Sequence, residues 1–160
     1  MGHKDDSSDI YIVDLNSNEI TNITNDIFSD SSPSWSPNGK IIYFTSDRGE
    51  NTNANNMFDV DFSQTDIFQY SLELDTVSQL TNTEYNENYP VADSDGNLYY
   101  TADYNGITNI FKHNLSNNEA FPITNVVTGV QQIDLDSSDN LVFSGFKKRG
   151  WDLYIMNNPN

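Results

Sequence analysis

Three groups of acidic side chains in this sequence have the types and spacing that could do chemistry. Asp93-Ser94-Asp95-Gly96-Asn97 places oxygen donors ahead of a glycine, as calcium-holding loops do. An EF-hand loop needs glycine at its sixth position and a bidentate glutamate at its twelfth. Here glycine comes fourth and the twelfth position is Tyr104, so the segment predicts a plain hairpin turn. Asp134 and Asp136 flank Leu135, and on a strand both carboxylates face one side, with Asp139 nearby in a turn. They are the weak candidates for a metal site, with calcium the cation they would suit; solvated loop carboxylates are the competing reading. The third group, Asp26, Asp30, Glu84, Tyr85, Glu87 and Tyr89, falls in the segments 26–32 and 83–89, which with 126–132 recur along the chain. These segments read as loops whose face suits a ligand with basic groups.

No catalytic set accompanies these acids. Gly-x-Ser-x-Gly, a phosphate-binding glycine loop and H-E-x-x-H are all missing from the sequence. A Ser-His-Asp set would have to recruit His113, which aligns with Val13, Tyr70 and Met156 and so reads as a packed strand residue. The expectation is a non-enzyme with no catalytic residue. Lys147-Lys148-Arg149 beside Trp151 could clamp an acidic ligand, but a solubilising loop is the favoured reading.

The elements that position these side chains must come from 160 residues with a net charge of −17. That excess of acid argues against nucleic acid and anionic bilayers, whose phosphates need a basic face. With no cysteine there is no disulfide framework and no thiolate metal site. No apolar run approaches the roughly 20 residues of a membrane-spanning helix. The opening Met1-Gly2-His3-Lys4-Asp5-Asp6 contains no hydrophobic signal segment. Asparagine occurs 23 times, and 12% of residues are aromatic, a composition shared by disordered tails and turn-rich β domains.

Order along the chain decides between the two. Asp66-Ile67-Phe68, Asn109-Ile110-Phe111 and Asp152-Leu153-Tyr154 recur at a spacing of 43 residues, and Asp9-Ile10-Tyr11 is an earlier copy. Ile23-Thr24-Asn25, Leu80-Thr81-Asn82 and Ile123-Thr124-Asn125 each follow fourteen residues after the first residue of their copy. Within a period, short β-type runs alternate with Asn-Gly or Asp-Gly turns that tolerate positive φ. Four short antiparallel strands per roughly 40–45 residues describe a β-propeller blade. The fold class is therefore all-β, with four-stranded antiparallel blades.

Ser34-Trp35-Ser36-Pro37-Asn38-Gly39-Lys40-Ile41-Ile42-Tyr43-Phe44-Thr45-Ser46-Asp47-Arg48 resembles the repeat of TolB-type propellers, the WD40-like or PD40 repeat. Asp9 to Leu15 and Ile23-Thr24-Asn25 are similar to its following strands. Later copies depart from it: Val91-Ala92 stands where Trp is usual, and the copy from Gln132 to Phe146 lacks the Pro and the turn Gly. The expected organisation is a disordered tail over 1–8 and a propeller segment over 9–157. The latter divides into a half blade (9–25), a blade (33–82) with an insertion (50–65), a blade (90–125) and a partial blade (132–157). The stretch Asn51–Asp61 reads either as a partner-binding loop or as an ordinary insertion.

About three blades do not close a ring, so the expectation is a fragment of a longer propeller or a ring closed by self-association through open blade faces. The resemblance implies a scaffold in the bacterial periplasm or cell envelope that binds protein or peptide, with neither nucleic-acid binding nor membrane insertion. The same resemblance leaves two alternatives: the propeller of a larger prolyl-oligopeptidase-type peptidase or lyase whose catalytic residues lie elsewhere, or a self-assembling half-propeller.

Overall fold

The computed structural model describes residues 7–49, 62 and 64–159. The first sheet pairs β1 (Tyr11–Val13) with β2 (Ile20–Asn22). The second has the order β3 (Asp30–Trp35), β4 (Ile41–Ser46), β5 (Asp66–Ser71), β6 (Thr76–Gln79). The third repeats it with β7 (Glu87–Ala92), β8 (Asn97–Ala102), β9 (Asn109–Asn114) and β10 (Glu119–Pro122). The fourth contains β11 (Val130–Leu135), β12 (Leu141–Lys147) and β13 (Gly150–Met156). All pairings are antiparallel, and β7 packs against both β3 and β11, so the first strands of successive sheets lie side by side as inner strands. The chain is all-β, as the repeat predicts, and its blades do not close into a ring. Among the described residues, no helix is long and apolar enough to cross a membrane.

Each blade is apolar on both faces, so cores form between blades. Ile42, Phe44, Phe68 and Tyr70 of the second blade pack with Ile10 of the first. From the opposite face, Tyr43 and Ile67 pack with Leu98, Tyr100 and Ala102 of the third. Tyr99 and Ile110 then point the other way, toward Val130, Leu141 and Phe143 of the fourth. Alternation along a strand thus sends successive side chains into different cores.

The recurring polar letters have one job each. Thr24, Thr81 and Thr124 accept the backbone N–H of Ile10, Ile67 and Ile110 at 3.0, 2.8 and 2.8 Å. The residue before each isoleucine is an acceptor: Asp9 takes the side-chain amide of Asn22, while Asp66 and Asn109 take the N–H groups of Thr83 and Val126 in the turn out of the blade. Asp93 is spent on its own hairpin, accepting from the N–H groups of Asp95 and Asn97. The fourth blade lacks a turn glycine because Asp139 takes the left-handed conformation (φ 56°) that Gly39 and Gly96 hold in the other two turns. Lys148 and Arg149, both at positive φ, close the tight hairpin between β12 and β13.

Ser8 donates its hydroxyl to the carbonyl of Asp30, and its own carbonyl accepts the N–H of Asp30. The Asn51–Asp61 loop lies outside the described residues.

Thr81→Val preserves shape but leaves the buried N–H of Ile67 without an acceptor. It is expected to cost about 1–3 kcal/mol in urea denaturation with an unchanged m-value.

Candidate functional site

The inner strands carry the chemistry at both of their ends. At the loop end, each begins with a backbone tie to the preceding blade: the N–H groups of Asp30, Glu87 and Val130 donate to the carbonyls of Ser8, Thr65 and Thr108. Two residues on, Ser32, Tyr89 and Gln132 take positive φ, and the register of each inner strand slips there against its neighbour. A bulge therefore recurs at the same place in three blades, re-aiming the side chains beyond it.

These strand starts include two of the six residues of the expected ligand face. Asp30 and Glu87 are buried first residues of β3 and β7, not loop residues. Asp26 is held by Arg48 across 3.0 Å. Tyr85 lies edge-on to Tyr104 at 5.0 Å, Tyr89 packs against the core between the third and fourth blades, and only Glu84 of the six stands exposed. Charged letters at the head of a strand read as loop in the sequence. An arginine two residues past β4 in so acidic a chain was the available signal that an acid lay buried beside it.

Arg48 organises that end of the second blade. Its guanidinium donates to both carboxylate oxygens of Asp30 at 2.7 and 2.8 Å and to Ser46 Oγ at 2.8 Å. It lies 5.2–5.5 Å from the ring centres of Phe28, Phe44 and Phe68. Oxygens of Asp9, Asp26 and Asp30 converge within 4.8 Å, and the guanidinium already supplies the cation that two of them face. Burial pushes the carboxyls of Asp26 and Asp47 up from their ordinary value.

In the third blade, no arginine or lysine forms a salt bridge with Glu87 among the described residues. Glu87 Oε1 accepts from the Thr83 hydroxyl at 3.1 Å, while Oε2 is buried and has no hydrogen-bond partner among the described residues. Burial pushes this carboxyl up to about 7, reinforced by the charges of Asp66 and Asp103 and opposed by hydrogen bonds from Thr81 and Thr83.

At the other end, the hairpins following the inner strands surround a groove of about 500 Å³. Its apolar wall is Pro33, Trp35 and Val91, and its acidic rim is Asp134, Asp136 and Asp139. Trp35 is 51% exposed, and the Oγ of Ser34 beside it is buried without a partner. Ser94 donates to Asp139 across the two blades at 2.6 Å. Asp136 lies past the end of β11, where its carboxylate accepts the N–H groups of Ser138 and Asn140. It therefore does not share a strand face with Asp134 as the sequence suggested. Among the described residues, His113 is packed, with Nε2 on Asn118 at 2.9 Å.

No protein-family model matches this chain, and no curated protein matches its sequence. Solved structures do match its fold. TolB from Acinetobacter baumannii superposes with a TM-score of 0.69 at 19% identity, over 93% of this chain and 35% of that one. A protein described as a TolB of Agrobacterium tumefaciens gives 0.76 at 17%, over 98% of this chain and 55% of that one. A Mycobacterium tuberculosis peptidase that hydrolyses puromycin gives 0.63 at 13%, over 89% and 21%. The fold is that of the TolB-like β-propellers, and the chain spans about a third to a half of the two TolB chains.

Folded Glu87 holds its proton up to about pH 7, whereas the unfolded chain releases it near the ordinary 4.5. Its contribution to stability is therefore present below the unfolded value and is lost as pH rises to about 7. Glu87→Gln should match the wild type near pH 5 and exceed it near pH 8 by up to roughly 3 kcal/mol in urea melts.

Proposed function

We propose that this chain is a non-enzymatic binding segment of a TolB-like propeller, and that its axial groove receives a basic segment of a protein or peptide. The groove carries the reading: an exposed indole and three carboxylates around about 500 Å³ present a cation-π surface beside negative charge. The net charge of −17 would steer a basic partner toward it. The TolB resemblance supports a place in the periplasm or envelope. The likeness to the peptidase supports the alternative, in which catalytic groups would be carried outside these residues.

A labelled Arg-Gly-Arg-Gly-Arg peptide should bind in fluorescence anisotropy, more weakly as salt rises. Trp35→Ala and Asp134→Asn should each weaken it by about tenfold or more, close to 1.4 kcal/mol. Equal binding of the Glu-Gly counterpart, or no effect of either substitution, defeats the groove as the site.

The outer face of the fourth blade supports a self-association proposal. Leu153 takes the place of Ile67 and Ile110, each 0% exposed beneath the next blade, yet it is 81% exposed with Trp151 and Ile155 beside it. A further blade, here one from a second copy, would cover this face and the open Tyr11 and Val13 of the first. Light scattering should show mass rising with concentration, and Leu153→Asp should suppress it. A monomer at every concentration would refute the proposal.

A further inference from the structure

The second and third blades build the same cage around different centres. The register makes the positions equivalent: Asp30 faces Ser46 as Glu87 faces Ala102, and Phe44 faces Phe68 as Tyr100 faces Phe111. Tyr85 stands where Phe28 stands, and Tyr104 where Arg48 stands. The carboxylate and the aromatic walls are thus retained, and the guanidinium is lost. What remains is a carboxyl 1% exposed whose Oε2 has no hydrogen-bond partner among the described residues. At the position of Arg48, the ring of Tyr104 is 45% exposed and edge-on to Tyr85 at 5.0 Å and to Phe111 at 6.1 Å. Tyr104 is carried on a short turn, Tyr104–Gly106, at the surface.

We propose that the Glu87 cage binds the guanidinium of an arginine side chain supplied by a protein partner, in the position that Arg48 fills from within the second blade. The walls suit a guanidinium, which stacks on aromatic faces and donates to a carboxylate in one plane. They do not suit a hard metal ion, which takes six or more oxygens. The neighbouring carboxylates are engaged elsewhere, Asp103 with the backbone and side-chain amides of Asn86 and Asp66 with Gln79. They add negative potential without closing the slot. This site lies at the loop end of β7, opposite the hairpin groove, so the two readings stand or fall separately.

The test uses acetyl-arginine amide, with acetyl-citrulline amide as its neutral isostere, titrated by NMR into the whole chain with Glu87 observed through its carboxyl carbon. The arginine probe should shift that carbon and the ring signals of Tyr85 and Tyr104, and the citrulline probe should not. Glu87→Gln should weaken binding by about tenfold or more, and Tyr104→Ala should retain it by opening the slot. Tyr104→Arg should fill the cage from within, abolishing probe binding and raising the melting midpoint near pH 8. Equal binding of citrulline, full binding to Glu87→Gln, or a lowered midpoint with binding intact in Tyr104→Arg overturns the proposal. So does binding that is lost in Trp35→Ala and kept in Glu87→Gln, which would assign the probe to the groove.

Discussion

A sheet that is apolar on both faces can be stable only between two others, and every other feature of this chain follows from that constraint. Alternation along β4 sends Ile42 and Phe44 into one core and Tyr43 into the next, so no blade has a core of its own. Stability is then mostly a sum over blade-to-blade contacts. The backbone ties from each inner strand to the preceding blade align those contacts, and the threonine and Asp/Asn letters hold the turns that deliver them. The charged features are consequences of this packing, because any polar group between two blades must be satisfied within a dry interface.

Arg48 shows how that requirement is met. Burying Asp30 alone would be costly, and burying a guanidinium alone more so; paired and stacked on three phenylalanines, the two offset each other. The net worth of such a pair over apolar residues is small. It fixes how the loop carrying Phe28 meets β4 and β5. The third blade relaxes this solution by halves, retaining the acid and the aromatic walls and losing the cation. The fourth abandons it, with Val130 where Asp30 and Glu87 stand. The repeat thus diverges where burial of charge is expensive, while its backbone geometry persists.

The strand order, the turns and the all-β class were legible because they depend on local letters in fixed register. Asp-Ile-Phe and Leu-Thr-Asn each report one hydrogen bond that any blade must make. The ends of the inner strands were not legible. Asp30 and Glu87 look like loop residues until the bulges at Ser32 and Tyr89 are known, and a bulge is a register event between two strands. The hairpin-end groove was hidden for a similar reason. Trp35 is conspicuous as a motif letter, but that it faces Asp134 and Asp139 depends on how three blades converge.

The same reasoning changes what the charge of −17 means. Much of the acid is structural: Asp14, Asp93 and Asp136 accept turn N–H groups, and Asp47 and Asp103 hold the N–H groups of Ser29 and Asn86. Asn109 accepts the N–H of Val126 as Asp66 accepts that of Thr83, and the hydroxyl of Thr124 as Asp9 accepts that of Thr24, so in that role the charge itself is dispensable and only the acceptor matters. Of the seven basic residues, Arg48 and Lys112 are buried, so little positive charge reaches the surface. The field outside the molecule is therefore a by-product of turn chemistry repeated blade after blade. Among the described residues, carboxylates stand near aromatic rings without a salt-bridged cation beside Trp35 and at Glu87.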